Sequence, residues 1–354
     1  MSNLFFTISK KEIDNIVNCF KPAIKEDRLK FFVDNGNVSI EMDDLGNILR
    51  YDFGQEVEPS DIKEFYISLD VLKNLSSTLS EDIEAKFNVD NEGGMKIEVG
   101  TTVLNMSLTS EVIEINDAFE PAEEEVLLSD KVNMLCQRLK VVKASGQIAS
   151  PVMVMGKNIK MGSQLSYTII HEDYGLEKLE FNAISEFFNY FNNIYKFGDE
   201  VKLEINKDKS LCRLSCENVT YIVRCLDDSV TPPDLSPLLD GLKTKTTVNK
   251  GYLDNELAIL SIPVSGQNQN IRIVNIEIDK NELVLRVKDL GNRISESRIK
   301  IANGEGDAEV KVRLDGLKSC IAPLQDDFEI MWSQNVVALD DEIGTTLLVG
   351  VMNN

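Results

Sequence analysis

Three times along this chain an alternating, strand-like pattern runs into a helix-spaced set of apolar residues and then back into alternation, and this recurrence restricts the possible fold more than any other feature. The first copy, FYISLDVLKNLSSTLSEDIEAKFNVD, begins at Phe65: Ile67 and Leu69 alternate with polar neighbours, Val71, Leu72, Leu75 and Leu79 follow helical spacing, and Ile83, Ala85, Phe87 and Val89 return to a period of two. The second copy starts near Leu179 (LEFNAISEFFNYFNNIYKFGDEVKLEINKD) and the third near Val310 (VKVRLDGLKSCIAPLQDDFEIMWSQN). An Asp, or in the second copy an Asn, opens or closely precedes each helix, and an acidic pair follows it: Glu81-Asp82, Asp199-Glu200 and Asp326-Asp327. Marked by Leu69, Asn182 and Leu314, the copies are spaced on the order of 120 residues apart, the length of a domain and not the roughly 20–50 residues of a solenoid unit.

The segments around the copies repeat as well. Near the start, Ser9 with Glu12 forms a capping box, Ile13, Ile16, Val17 and Phe20 make one apolar helix face, and Pro22 ends or kinks that helix. Strands are expected at 29–33, 38–42 and 48–53 across Gly-containing turns, and at 95–99 and 103–108 after the first copy. The acidic run EPAEEE reads as a solvated linker. A helix from about Ser129 then turns Val132, Leu135, Cys136, Leu139 and Val142 inward, with Lys131, Arg138, Lys140 and Lys143 along its edges. Strands at 152–155, 159–161 and 165–170 precede the second copy, and 212–215 and 221–225 follow it. TPPDLSP, ending at Pro237, is the clearest linker. Beyond it, a strand at 246–248 leads to a helix with Leu253, Leu257 and Leu260, stopped by Pro263 and Gly266. Strands at 271–278, 283–288 and 298–301 lead to the third copy, and 336–339 and 347–351 close the chain. The expectation is an α+β protein of three similar domains, 1–120, 121–240 and 241–354, each with two helices packed on antiparallel sheets.

A chain of 354 residues with 43% apolar content and 9 prolines can bury a core in each such domain. No run of 18 apolar residues marks a membrane span, and MSNLFFTISKKEID lacks the basic start and cleavage site of a leader, so a cytoplasmic protein is expected. The net charge of −22 argues against nucleic acid at first sight, yet a basic strip can coexist with an acidic exterior. Six cysteines at irregular spacing do not form a disulfide framework. Cys212 and Cys216 lie four apart in a strand pattern, about 13 Å from each other, too far to share a metal ion. The single histidine, His171, rules out sites built on two or three His ligands, and neither GxxxxGK[ST] nor GxGxxG occurs. Neither catalysis nor a cofactor is expected.

The opening LFFTISKKEIDNIVNCF, then LKFFVDNGNVSIEMDDLGNILRYDF and EFYISLDVLKNLSSTLSEDIEAKF, resemble in order and spacing the first domain of the bacterial-type DNA polymerase sliding clamps, the beta subunit family of the replicase. LAILSI, IRIVNIEIDKNELVLRVKD and VRLDGLKSCIAPL resemble the family's third domain, and the likeness covers nearly the whole chain. The resemblance implies the DNA-clamp fold and a processivity factor. Two protomers would close head to tail into a ring around duplex DNA and tether the polymerase, with helices lining the hole and sheets outside. Contacts with phosphate would then fall to Lys11, Lys21, Lys25, Lys73, Lys131, Arg138, Lys140, Lys196, Lys250 and Lys318.

The resemblance also implies a homodimer in which domains one and three meet, with Val103, Leu104, Met106 and Leu108 on the edge strand and Ile259 and Leu260 beneath it. Polymerase and clamp loader would dock apolar peptides in a pocket walled by Gly162, Leu165, Tyr167, Pro237, Leu238, Val349, Val351 and Met352. There the chain departs from the family: Gly-Ser-Gln-Leu-Ser-Tyr replaces the usual Thr-Asp-Gly-His-Arg-Leu, and Gly-Val-Met replaces Met-Pro-Met. The altered pocket suggests a clamp of a phage or other mobile element serving its own polymerase. The rival expectations are a non-enzymatic scaffold, such as a virion component, built from three similar domains, and an enzyme with an acidic surface.

Overall fold

The computed structural model of the chain describes residues 3–23, 26–34, 36–57, 60–108, 119–145, 152–155, 158–162, 166–170, 179–183, 187–227, 229–230 and 236–351. The first third runs β1 (Leu4–Ser9), α1 (Lys10–Cys19), β2 (Arg28–Asp34), β3 (Asn37–Asp44), β4 (Asn47–Glu56), β5 (Glu64–Ser68), α2 (Leu69–Thr78), β6 (Glu84–Val89), β7 (Gly94–Val99) and β8 (Thr102–Ser107). The middle third repeats the order with β9 (Pro121–Leu128), α3 (Ser129–Ser145), β10 (Val152–Met155), β11 (Asn158–Gly162), β12 (Ser166–Ile170), β13 (Glu180–Ala183), α4 (Phe187–Ile194), β14 (Glu200–Asn206), β15 (Leu211–Cys216) and β16 (Val219–Leu226). After a 3-10 turn at Ser236–Gly241 come β17 (Thr244–Asn249), α5 (Lys250–Ser261), β18 (Ile273–Asp279), β19 (Glu282–Lys288), β20 (Ile294–Lys300), the short β21 (Gly304–Glu305), β22 (Val310–Arg313), α6 (Leu314–Ile321), β23 (Asp327–Trp332), β24 (Val336–Asp340) and β25 (Gly344–Val349). The three recurring stretches are β5-α2-β6, β13-α4-β14 and β22-α6-β23.

Helices α1, α2 and α5 begin where the sequence offers caps, whereas α6 follows Arg313 with no side-chain cap bond. Ser9 Oγ accepts from the Glu12 amide at 3.2 Å, Ser68 Oγ from Asp70, and Asn249 Oδ1 from Gly251 and Tyr252. Helix α1 buries Ile13, Ile16 and Cys19, α2 buries Leu69, Leu72 and Leu75, and α6 buries Leu314, Leu317, Cys320 and Ile321. Each large apolar side chain so buried contributes about 1.5–3 kcal/mol.

The chain divides into two compact units, 1–132 with 189–225, and 133–188 with 226–354, so the middle third supplies elements to both. In the first unit, β1-β6-β7-β8 forms one antiparallel sheet. A second runs β5-β2-β3-β4-β16-β15-β14-β9, continuous through the β4–β16 ladder that sets Tyr51 opposite Val219 and Ile48 opposite Ile222. The β3–β4 turn reaches this joint. Leu45 and Gly46 take φ of 60° and 82°, and the left-handed backbone at 46 favours glycine, with the Arg224 guanidinium packed where a Cβ would stand. The last carbonyls of α1 are satisfied by the middle third: Tyr221 Oη donates to Cys19 O at 2.7 Å and Asn193 Nδ2 to Asn18 O at 2.8 Å.

EPAEEE is not a linker throughout. Residues 121–125 open β9, an edge strand laddered on β14, which points glutamates outward and leaves Glu124 paired with Lys202 at 2.7 Å. Charged side chains on an edge discourage further pairing, which gives the acidic run a place in a strand.

In the second unit, β20-β19-β18-β22 forms a four-stranded sheet, and β13-β10-β11-β12-β25-β24-β23-β17-β21 a second one. The core between them holds Leu253, Leu257, Val274, Leu285, Leu317 and Trp332, whose Nε1 donates to Ala308 O at 2.7 Å. Strand β20 starts four residues before the expected 298, because Ile294 and the polar ISES stretch lie on an exposed edge where hydrophobic alternation is weak.

Candidate nucleic-acid and partner-docking sites

The basic residues expected to meet phosphate have distinct fates. Lys11, Lys21, Lys131 and Lys140 are exposed, and none of the four makes an ion pair among the described residues. Lys196 is exposed with its Nζ 5.9 Å from the Tyr195 ring centre. Lys73 pairs with Asp70 at 3.0 Å, an exposed contact of little energetic weight. Lys250 Nζ donates to the carbonyls of Ala322 and Leu324 at 2.7 and 3.0 Å, placing its charge at the end of α6. Lys318 reaches Ser261 Oγ at 3.4 Å, and Lys25 lies outside the described residues. Arg138 requires a correction: its side chain is 2% exposed and pairs with Asp341, 1% exposed, so it is closed off from any phosphate.

Some charge on the helices is consumed locally. Lys10 pairs with Asp14 at 2.5 Å, and Ser76 of α2 donates to the same carboxylate at 2.6 Å. Burial pushes the Asp14 pKa up, but the bonds from Lys10 and Ser76 together outweigh it and hold the carboxyl below its ordinary value.

Of the expected docking residues, Gly162, Tyr167 and Val349 lie on neighbouring strands of one sheet in the second unit. Strand β12 ladders onto β25, with Tyr167 opposite Leu347 and Ile170 opposite Gly344, and the buried Thr168 and Thr346 hydroxyls meet at 3.2 Å. Gly162 pairs with Tyr167 across the β11–β12 hairpin, and Val349 pairs with Val336. Val351 is half-buried and hydrogen-bonds through its amide to Lys311 O at 2.7 Å. Pro237 and Leu238 are exposed on the 3-10 turn, while the neighbouring Leu239 and Leu242 pack on a cluster of Ile169, Val336, Ala338 and Leu347. Leu239 and Leu242 are not in the expected set, although the apolar LLDGL stretch directly after the expected linker carries a signal for them. Leu165 and Met352 lie outside the described residues, as does His171.

Two free sheet edges complete the set. Strand β8 exposes Val103 (47%) and Leu104 (40%) and holds Met106 half-buried; Leu108, just beyond it, bonds through its amide to Gly93 O. In the second unit, β20 is the edge of its sheet and exposes Ile294, while Tyr252, Ile259 and Ile262 are exposed on and just after α5. Leu260 requires the second correction: at 3% exposure it belongs to the core with Leu253 and Leu257, because the spacing of four and three residues puts it on the inward stripe of α5. Five of the six cysteines are buried, and burial pushes the Cys216 and Cys320 thiols up, to about 11 and about 12, which makes them poor nucleophiles.

Three successive sets of strand, helix, three strands, strand, helix and three strands, with an added short strand in the last set, make up the DNA polymerase sliding-clamp fold, and solved structures of that class match the whole chain. The DNA polymerase III beta subunit of Thermotoga maritima matches with a TM-score of 0.82 at 14% identity, covering 99% of this chain and 100% of its own. The sliding clamp of Bacillus subtilis gives 0.81 at 13% identity with 100% of both chains covered. The Pseudomonas aeruginosa clamp bound to griselimycin gives 0.82 at 11% identity, with 99% and 100% covered. No protein-family model and no curated protein matches the chain by sequence.

Proposed function

We propose that this chain is a DNA polymerase processivity factor: two copies join head to tail into a ring that encircles duplex DNA without reading its sequence and tethers a polymerase. The observation that carries this is the sliding-clamp fold over the full length, with TM-scores of 0.81 and above at near-complete coverage of both chains. Domains 1–120, 121–240 and 241–354 would each turn two helices toward the DNA. Among the described residues of the expected set, Lys11, Lys21, Lys131, Lys140 and Lys196 are exposed and outside any ion pair, which leaves them open to phosphate, and the strongly acidic remainder of the chain repels DNA from the outer faces. The free edges at β8 and β20 would pair across the dimer boundary, and the β12–β25 seam would take the apolar peptides of polymerase and clamp loader. Such a role needs no catalytic group and no cofactor. It would be performed in the cytoplasm at the replication site, and no described helix is long and apolar enough to cross a membrane.

The double variant K131E/K140E tests the DNA contact. In a salt series on duplex DNA, its binding should fall and the slope of log K against log salt should flatten by about 0.9 for each phosphate no longer neutralised. An unchanged slope would favour the rival scaffold.

A further inference from the structure

The ion pair that removes Arg138 from the DNA-facing set has a specific location. Asp341 sits in the turn between β24 and β25 and organises it: Oδ1 accepts the amides of Ile343 and Gly344 at 3.1 and 3.2 Å, while Oδ2 accepts Gln325 N at 3.1 Å and Arg138 Nη2. The same turn launches β25, whose five residues Gly344 to Leu348 ladder onto β12. Its height over β12 is set by a close approach, since a Cβ on Gly344 would run into the Ile169 carbonyl and lie 3.0 Å from Ile170 Cα. Arg138 Nε has no hydrogen-bond partner among the described residues. A buried ion pair left partly unsatisfied is a poor source of stability, because desolvation of both charges offsets their attraction; what such a pair can supply is a defined geometry.

We infer that Arg138 is a positioning residue for the docking seam: acting through Asp341, it holds the β24–β25 turn so that β25 stays laddered on β12 and presents Val349 and Val351 in fixed register. The role in docking rests on the proposed function, but the hold on the seam does not.

The test is hydrogen exchange on the full-length protein and its R138M, R138K, D341N and G344A variants. R138M should raise exchange of the amides in 345–349 and 166–170 by about tenfold or more, while β18 and β19, in the same unit, keep their protection. R138K, which retains the charge, should preserve much of the seam's protection, and G344A, which forces β25 away from β12 at their closest approach, should loosen the seam with Arg138 in place. Unchanged seam exchange in R138M, or an equal rise in β18 and β19, would overturn the inference. If R138M does not fold, D341N decides, because it removes the charge facing Arg138 and keeps an Oδ1 acceptor for the turn amides: seam exchange unchanged in D341N overturns the inference. Griselimycin, bound by the Pseudomonas aeruginosa and Bartonella birtlesii clamps, separates the two layers. Affinity about tenfold weaker for R138M than for wild type supports positioning for docking, and equal affinity overturns it. No binding even to wild type, with the R138M seam loosened, counts against the docking site while the hold of Arg138 on the seam stands.

Discussion

Glu204 shows how single charges are held in this acidic chain. Its side chain is buried, Arg213 Nε donates to it at 2.6 Å, and Lys202 lies 3.0 Å away. Burial pushes its pKa up, but the bonds from Arg213 and Lys202 outweigh that and lower it. A carboxyl whose pKa is lower in the folded state contributes stability above its unfolded value, about 4.3, and loses it as pH falls through the folded value. E204Q should therefore cost about 1–3 kcal/mol at pH 7 and a smaller amount at pH 3, read from urea midpoints; an equal cost at both pH values would contradict this electrostatic role. The residue scale is also where the sequence is least legible. Arg138 stands among Lys131, Lys140 and Lys143 and looks like one more edge cation, because its partner lies 203 residues away and no local pattern encodes that pairing. Likeness alone places Leu260 at an interface, whereas its spacing from Leu253 and Leu257 already puts it in the core.

At the scale of elements, periodicity is a sound guide wherever one face is buried. Helices α1, α2 and α3 bury Ile13 and Ile16, Leu72 and Leu75, and Val132, Leu135, Cys136 and Leu139, as their spacing selects, because an apolar stripe has one way to leave water; Val17 and Val71 are half-buried, and the Val142 side chain lies outside those described. Edge strands are harder. The acidic start of β9 reads as linker and the start of β20 carries no strand signal, since an edge open to solvent does not require alternating hydrophobicity. The exposed valine and leucine of β8 run against this, because a free edge with apolar side chains invites pairing. V103E/L104E should shift the protein to monomer in sedimentation velocity with its melting temperature little changed, as both side chains are exposed. Retention of the wild-type mass would remove β8 from the interface.

At the scale of the whole molecule, the threefold recurrence is legible in full. The same succession of strands and helices appears three times, and the sliding-clamp fold of the solved structures follows it. Division into units is not legible, because β16 joins the sheet of the first third and β12 that of the last, and such ladders between distant segments leave no mark in the local sequence. At this scale the central claim is that two copies close around DNA. Negative-stain imaging of the purified protein, averaged down any symmetry axis, tests it most directly. The expected result is a closed, six-lobed ring with a hole wide enough for duplex DNA. Isolated three-lobed particles at high concentration would contradict the encircling dimer and leave only the fold.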